Sequence, residues 1–364
     1  MKIADYLNCA WQAIDSKIAK ITGKTPRGPL VVFLSLTERC NMCCKKCTIG
    51  KDPDAHKEPE LSRDEFFSIL SQLAAVGNKV VALWGGEPLL SRDLFDIIRE
   101  IRRLGMIPYL VTNGHLLNEK NVQKLVAADV GSVSVSLDET DPERHDEMRG
   151  VTGAFDRSCS GLALVRKMGG KKINIGINMV LSKDNIDEIP RMAKLASDLD
   201  LNWLKFIPVH FGFPYNPLEF GDPELMPGDE EIKRIHGNLL QARQFMMERG
   251  LYTNSLKFLD DVDAFFRGRH LMQDCYAGYL LCNIDAFGNV NQCSIDSRIA
   301  GNVRKNSFQD IWRSKEFDRI RKDHSKSLCG HCWLSCFVEP SFRMSVAYSA
   351  RNLFQFLKET SFVR

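Results

Sequence analysis

The 364-residue sequence contains no run of eighteen consecutive apolar residues, so no transmembrane helix is expected. Its first two dozen residues mix charges with apolar side chains and lack the continuous apolar stretch of a secretory signal, so a cytoplasmic protein is expected. A strong excess of one charge sign is missing as well: 49 Lys and Arg stand against 46 Asp and Glu, for a net charge of +3. The basic residues are scattered among acidic ones, which argues against a phosphate track and against nucleic acid as a partner. No internal repeat or low-complexity tract is present, which excludes solenoids and disordered arrays. What remains is 44% hydrophobic and 26% charged, the balance of a soluble globular protein with a sizeable core, in one large domain or two smaller ones. Cysteine is plentiful, with twelve in all. In a reducing compartment that number argues for metal ligation rather than disulfides. Four lie between Cys40 and Cys47 and six between Cys275 and Cys336, which leaves Cys9 and Cys159 as isolated, small apolar residues.

Periodicity predicts strands and helices in alternation. Residues 1–28 read as an amphipathic helix and linker packed on the outside of the body, with membrane contact as the alternative. Strands are expected at Val31–Leu36, Lys79–Leu83, Met106–Val111, Ser132–Ser136, Ile173–Val180 and Trp203–Ile207. Between them helices are expected at Arg63–Val76, opened by a Ser62/Glu65 capping box, and at Arg92–Leu104, Asn118–Ala128, Phe155–Met168 and Ile186–Leu199. Such alternation argues for parallel βα units, and six strands fit a partial (β/α)6 barrel whose ligands sit at the carboxyl ends of the strands. The Pro- and Phe-rich stretch over 208–228 reads as a lid, followed by a long helix at Glu230–Arg249 and a link at Leu256–Gly268.

Cys40, Cys44 and Cys47 follow the first strand, separated by three and then two residues. Three thiolates on a tight loop can hold three irons of a cubane cluster and leave the fourth open. A structural zinc loop is the alternative, but it needs a fourth Cys or His close by, and the nearest downstream, His56, lies in what reads as solvated loop. With Arg39 and Asn41 flanking the first Cys, the stretch resembles the cluster loop of radical S-adenosylmethionine (radical SAM) enzymes. Lys46 stands where that family usually places an aromatic residue, and Cys43 falls outside the ligand spacing.

The resemblance gives further motifs a meaning. Gly85-Gly86-Glu87-Pro88, on its own a turn before a Pro-initiated helix, looks like the segment that binds the SAM amino group. By the same resemblance Asn113 lines the SAM pocket, Ser136 and Arg149 bind ribose and the methionine carboxylate, and Val180 contacts adenine. Glu139 stands where the family often has Gly, and His145 reads as structural.

Cys275, Gly288-x4-Cys293, Cys329-x2-Cys332 and Cys336 form a second constellation, around a hairpin at Asn283–Val290. An amphipathic helix is expected at Phe308–Arg321. The cysteine spacing alone leaves zinc and a fully ligated iron–sulfur cluster both open. Order and spacing are similar to the Twitch/SPASM auxiliary-cluster domain, which implies at least one auxiliary [4Fe–4S] cluster, with Cys282 and Cys336 as alternates or as ligands of an incomplete second one. Asp296, three residues past Cys293, is a candidate base for deprotonating a substrate.

The expected organisation is an N-terminal helix and linker (1–28), the barrel (29–228), linking helices (229–269), the Cys-rich domain (270–340) and a basic, aromatic tail (341–364). The tail is expected to pack on the body, with membrane-surface contact or carrier-peptide docking as the sharper alternatives. The resemblance implies SAM, a [4Fe–4S] cluster with one open iron, and an electron donor such as flavodoxin or ferredoxin. It also implies hydrogen abstraction from an unactivated C–H bond of a peptide or small-molecule substrate. Modification of a peptide or natural product is the expected use. The alternatives are a dehydrogenase of a polyol, sugar or lipid-linked precursor, and a non-catalytic zinc- or Fe–S-binding regulator.

Overall fold

The computed structural model describes residues 3–45, 47–49, 59–210, 224–269, 271, 274–323 and 332–344. Lys46, His56, the segment 211–223, Cys329 and the tail from residue 345 lie outside these, together with the expectations attached to them.

Helix α1 (Ile3–Thr22) leads into six parallel strands: β1 (Val31–Thr37), β2 (Val80–Gly85), β3 (Ile107–Thr112), β4 (Ser132–Ser136), β5 (Asn174–Leu181) and β6 (Trp203–Pro208). They lie side by side in chain order, as a partial barrel requires. Alternate residues on each strand are fully buried toward the helices, among them Leu34, Leu83, Leu110, Val133, Ile177 and Phe206. The residues between them face the concave side and include polar ones: Ser35, Tyr109, Asn178 and Lys205.

The covering helices are α2 (Arg63–Ala75), α3 (Leu94–Arg103), α4 (Glu119–Ala127), α5 (Pro142–Arg149), α6 (Ala154–Gly169), α7 (Ile189–Asp198) and α8 (Asp229–Glu248). The capping box at Ser62 and Glu65 forms as expected. Helix α5 was not anticipated. Its sequence carries almost no apolar periodicity, and its signal is local: Asp141 caps the Arg144 N–H, and Pro142 takes the first position.

Two short helices, α9 (Leu256–Asp260) and α10 (Val262–Phe266), reach the Cys-rich region. There β7 (Leu281–Ile284) pairs parallel with β1, and β8 (Asn289–Asn291) and β9 (Gly301–Asn302) follow antiparallel. The hairpin therefore extends the barrel sheet to nine strands. The helix expected over 308–321 is two helices, α11 (Phe308–Trp312) and α12 (Lys315–Lys322). The Ser314 hydroxyl accepts the Phe317 N–H, so a new N-cap interrupts the run. The last helix, α13 (Ser335–Met344), runs across the expected boundary at residue 340 and brings Phe337 to 5.4 Å from the Phe33 ring of β1. Arg304 ties this region to the barrel by pairing with Glu65 at 2.6 Å.

Candidate cofactor and cluster site

The loop carrying Cys40, Cys44 and Cys47 leaves the carboxyl end of β1 and is clamped from two sides. On one side lies the end of β2. A Cβ on Gly85 would sit 2.2 Å from the Thr37 carbonyl oxygen, and one on Gly86 would sit 2.3 Å from that of Arg39. Without side chains there, Gly86 N–H donates to Thr37 O at 2.7 Å and Glu87 N–H to Arg39 O at 2.9 Å. On the other side lies the last turn of α5. Cys43 N–H donates to the Arg149 carbonyl at 3.2 Å and Lys45 N–H to that of Met148 at 2.9 Å. Gly150, at φ +68°, allows a close approach: a Cβ there would lie 2.8 Å from the Cys43 carbonyl.

Donors surround the thiols. Asn113 Nδ2 is 3.9 Å from Cys40 Sγ, and Arg149 Nη1 is 3.9 Å from Cys44 Sγ. Arg149 is held by Asp138 at 2.7 Å, yet its Nε is buried with no hydrogen-bond partner, as is Asn41 Nδ2. Burial pushes the Cys40 thiol up to about 11, and the charges of Glu87, Cys44 and Cys47 add to that shift. Three neighbouring thiols, cationic and amide donors, and orphaned buried N–H groups fit an iron–sulfur cluster with an anionic ligand beside it. Among the described residues no three Cys, His or carboxylate side chains already converge on a position for a single metal ion.

Glu87 is fully buried. Its carboxylate accepts the Thr112 hydroxyl at 2.7 Å, the Asn113 N–H at 2.8 Å and the Leu89 N–H at 3.0 Å. Burial raises its pKa against these donors. The side chain ties the end of β2 to the end of β3. Asn113 remains at the loop, bonded to Asn41 at 2.9 Å. Val180 N–H donates to Asp138 at 2.8 Å, which links the end of β5 to the partner of Arg149.

Ser136 ends β4 and faces Asn178, which in turn faces Lys205 on β6. Lys205 was missed from sequence, although a lysine inside the apolar run Trp203–Pro208 is a visible anomaly. Burial lowers its pKa and Arg343 adds to the effect. The charges of Glu339 and Cys336 act the other way and offset part of that shift.

Four of the second set of cysteines gather. Cys275, Cys293 and Cys336 pack around Ala277, Leu281 and Phe337. Cys332 lies within electrostatic reach of all three, and burial pushes its thiol well up. Cys282 does not join them: it is fully buried in the main core on the helix side of β7. Asp296 is not open to a substrate either. It is 4% exposed, its oxygens accept from Arg298 and Gln292, and its N–H lies 3.3 Å from Cys293 Sγ. Burial would raise its pKa, but Arg298 and Gln292 outweigh that and hold it low, so it fastens the hairpin and is a poor base.

The family model of the radical SAM superfamily matches residues 34–196, and that of the SPASM iron–sulfur cluster-binding domain matches residues 275–333. An AdoMet-dependent heme synthase of Methanosarcina barkeri (strain Fusaro / DSM 804) is 30% identical over 318 residues, covering 84% of this chain and 88% of that protein. The chain belongs to the radical SAM superfamily. A PqqA peptide cyclase of Rhizobium meliloti (strain 1021) is 27% identical and covers 84% of this chain and 79% of the relative. Among solved structures, Streptococcus suis SuiB bound to S-adenosylmethionine superposes with a TM-score of 0.65 at 18% identity, over 87% of this chain and 75% of that one. Native anSMEcpe with bound AdoMet gives 0.63 at 16% identity, over 91% and 99%. These two likenesses establish the fold. As a radical SAM enzyme with a SPASM domain, the protein uses SAM, a [4Fe–4S] cluster and auxiliary iron–sulfur ligation. No described helix is long and apolar enough to cross a membrane.

Proposed function

We propose that this radical SAM enzyme abstracts a hydrogen atom from an unactivated C–H bond in the modification of a peptide or natural product. Held at the β1 loop, the iron–sulfur cluster and SAM would supply the radical chemistry for that step. Cys40, Cys44 and Cys47 would hold the cluster. The observation that carries the reading is the clamp on their loop: Gly85 and Gly86 on one side, Arg149 and Gly150 on the other, with unpartnered N–H groups of Arg149 and Asn41 buried between. Those groups suit the carboxylate of a bound ligand, and Asn113, Ser136 and Val180 line the ends of the adjoining strands. Cys275, Cys293, Cys332 and Cys336, with Cys329, supply the thiols for the auxiliary centre.

The substrate would lie on the concave face, between the β1 loop and the second cysteine group, beside Tyr109, Asn178 and Lys205. An external carrier such as flavodoxin or ferredoxin would bring the electron. A peptide or natural-product substrate is supported by the peptide cyclase relative. A tetrapyrrole is the second reading, supported by the 30% identity to a heme synthase.

The test is anaerobic reconstitution with iron and sulfide, followed by SAM and dithionite, with 5′-deoxyadenosine as the readout. Release is expected from the wild type and not from the Cys40→Ala, Cys44→Ala, Cys47→Ala variant. Equal release from both would remove the assignment of the loop.

A further inference from the structure

Helix α1 is inside out for a helix that packs on a protein core. The face turned to the body carries Gln12, Ser16 and Ala19. It is held by polar contacts: Ser16 donates to the Tyr279 carbonyl at 3.1 Å, Gln12 reaches the Pro29 carbonyl, and Lys20 pairs with Asp274. The opposite face carries Trp11, Ile14, Ile18 and Ile21, which are 67%, 48%, 53% and 75% exposed. These are four of the seven large apolar side chains that stand exposed among the described residues. At 3.6 residues per turn they fall within an arc of about 80°, a single stripe along the helix. Amphipathic periodicity normally buries such a stripe, and among the described residues nothing in the body receives it.

We propose that this stripe seats the protein on an anionic bilayer surface. Two exposed cations, Lys24 and Arg27, follow directly after the helix, where lipid headgroups would lie. An exposed apolar stripe is thus flanked by basic residues. That is the composition that binds an anionic interface, with the apolar face sunk to the headgroup boundary. A second copy of the chain fits less well. The stripe offers on the order of 500 Å² of side chain, short of the about 800 Å² per partner that a stable protein–protein interface buries. Helix α1 lies against residues 29 and 279, before β1 and β7, so the seated protein would turn the β1 cysteine loop away from the lipid.

The experiment is flotation of the reconstituted full-length protein with vesicles of phosphatidylcholine alone and of phosphatidylcholine with phosphatidylglycerol. The protein is expected to float with the anionic vesicles, less so as salt is raised, and to stay below with the neutral ones. Replacing Trp11, Ile14, Ile18 and Ile21 together by Ser is expected to lower partitioning at least about tenfold while SAM cleavage is unchanged, since none of the four belongs to the buried core or to the site. Failure of the wild type to float, or equal flotation of the variant, overturns the proposal. So does a wild-type dimer in sedimentation velocity that the same variant dissolves, which would assign the stripe to a second copy.

Discussion

The Arg149 guanidinium donates to Asp138 at 2.7 Å, and its other terminal nitrogen lies 3.9 Å from the Cys44 thiol. Both members of the ion pair are buried, and Asp138 also accepts the Val180 N–H. One carboxylate therefore fixes the arginine that faces the cluster loop and the strand end that faces the same site. Asp138→Asn leaves a buried cation without its counter-charge, so folding stability is expected to fall by about 3 kcal/mol and iron retention to fall with it. Arg149→Lys keeps a positive charge but loses the planar fork, so stability is expected to drop less while bound iron still declines. Urea denaturation and iron content after desalting separate the two. Full iron in both variants would remove Arg149 from the surroundings of the cluster.

The backbone contact at Gly86 makes a second prediction. A methyl group there would come within 2.3 Å of the Arg39 carbonyl, next to the first cysteine of the loop. The neighbour is backbone, so it cannot yield by a side-chain rotation. Gly86→Ala is expected to displace the loop and lower both bound iron and 5′-deoxyadenosine release at least about tenfold. The barrel core does not depend on this contact, and far-UV circular dichroism is expected to stay that of the wild type. Gly237→Ala, on a helix with open space around its Cβ position, is the control and is expected to keep both readouts.

Much of the barrel and of the loop is legible in the amino-acid sequence. The six barrel strands are readable because each carries an apolar face at period two, and Gly105 and Asn118 mark helix ends by turn and cap chemistry. Helix α5 is not readable from periodicity, because Pro142–Arg149 buries only His145 and Met148. The long helix expected over 308–321 fails at Ser314, whose capping hydrogen bond overrides the apolar repeat. The largest gap lies in long-range pairing. Nothing local in Leu281–Ile284 says that it joins β1, and that pairing makes the hairpin part of the barrel sheet and sends Cys282 away from the other cysteines. The direction faced by α1 is also hidden, since a helical repeat gives a face but not what that face meets.

Two histidines make stability depend on acid. Burial pushes His145 down to about 4, with the positive Arg149 adding to it, and burial pushes His210 down to about 4 as well. Neither ring nitrogen of His145 has a hydrogen-bond partner, and His210 Nε2 accepts the Trp333 N–H, which a protonated ring could not do. In the unfolded chain both titrate near 6.5. The unfolded state therefore takes up the proton first, and stability falls as pH drops from about 6.5 to about 4, with no contribution above that range. Each histidine accounts for up to about 3 kcal/mol at the acid end. His145→Phe is expected to remove roughly half of the slope in urea midpoints across this range. An unchanged slope would place the acid sensitivity elsewhere.

The second cysteine set makes the sharpest distinction, because its members differ in environment while looking alike in sequence. Cys275, Cys293, Cys332 and Cys336 share one neighbourhood, where burial is the main force pushing their thiols up, and neighbouring thiols add to it at Cys293, Cys332 and Cys336; Cys336 is raised to about 12. Thiols so crowded cannot all ionise on their own, whereas a bound iron–sulfur core neutralises them together. Cys282 is raised by burial too, but its surroundings are the apolar core and Arg321. Changing Cys275, Cys293 or Cys332 singly to Ser is expected to remove the iron and sulfide of the auxiliary centre and leave that of the β1 loop. Cys282→Ser is expected to keep the full complement and to cost about 1–3 kcal/mol of stability, since it places a hydroxyl in an apolar site. Cys336→Ser decides between two arrangements: iron lost makes it a ligand, and iron kept makes Cys329 the fourth thiol beside Cys332. Iron and sulfide analysis of the purified variants, with urea midpoints alongside, reads all of these. Loss of iron from Cys282→Ser would mean that β7 turns its other face to the cluster once iron is bound.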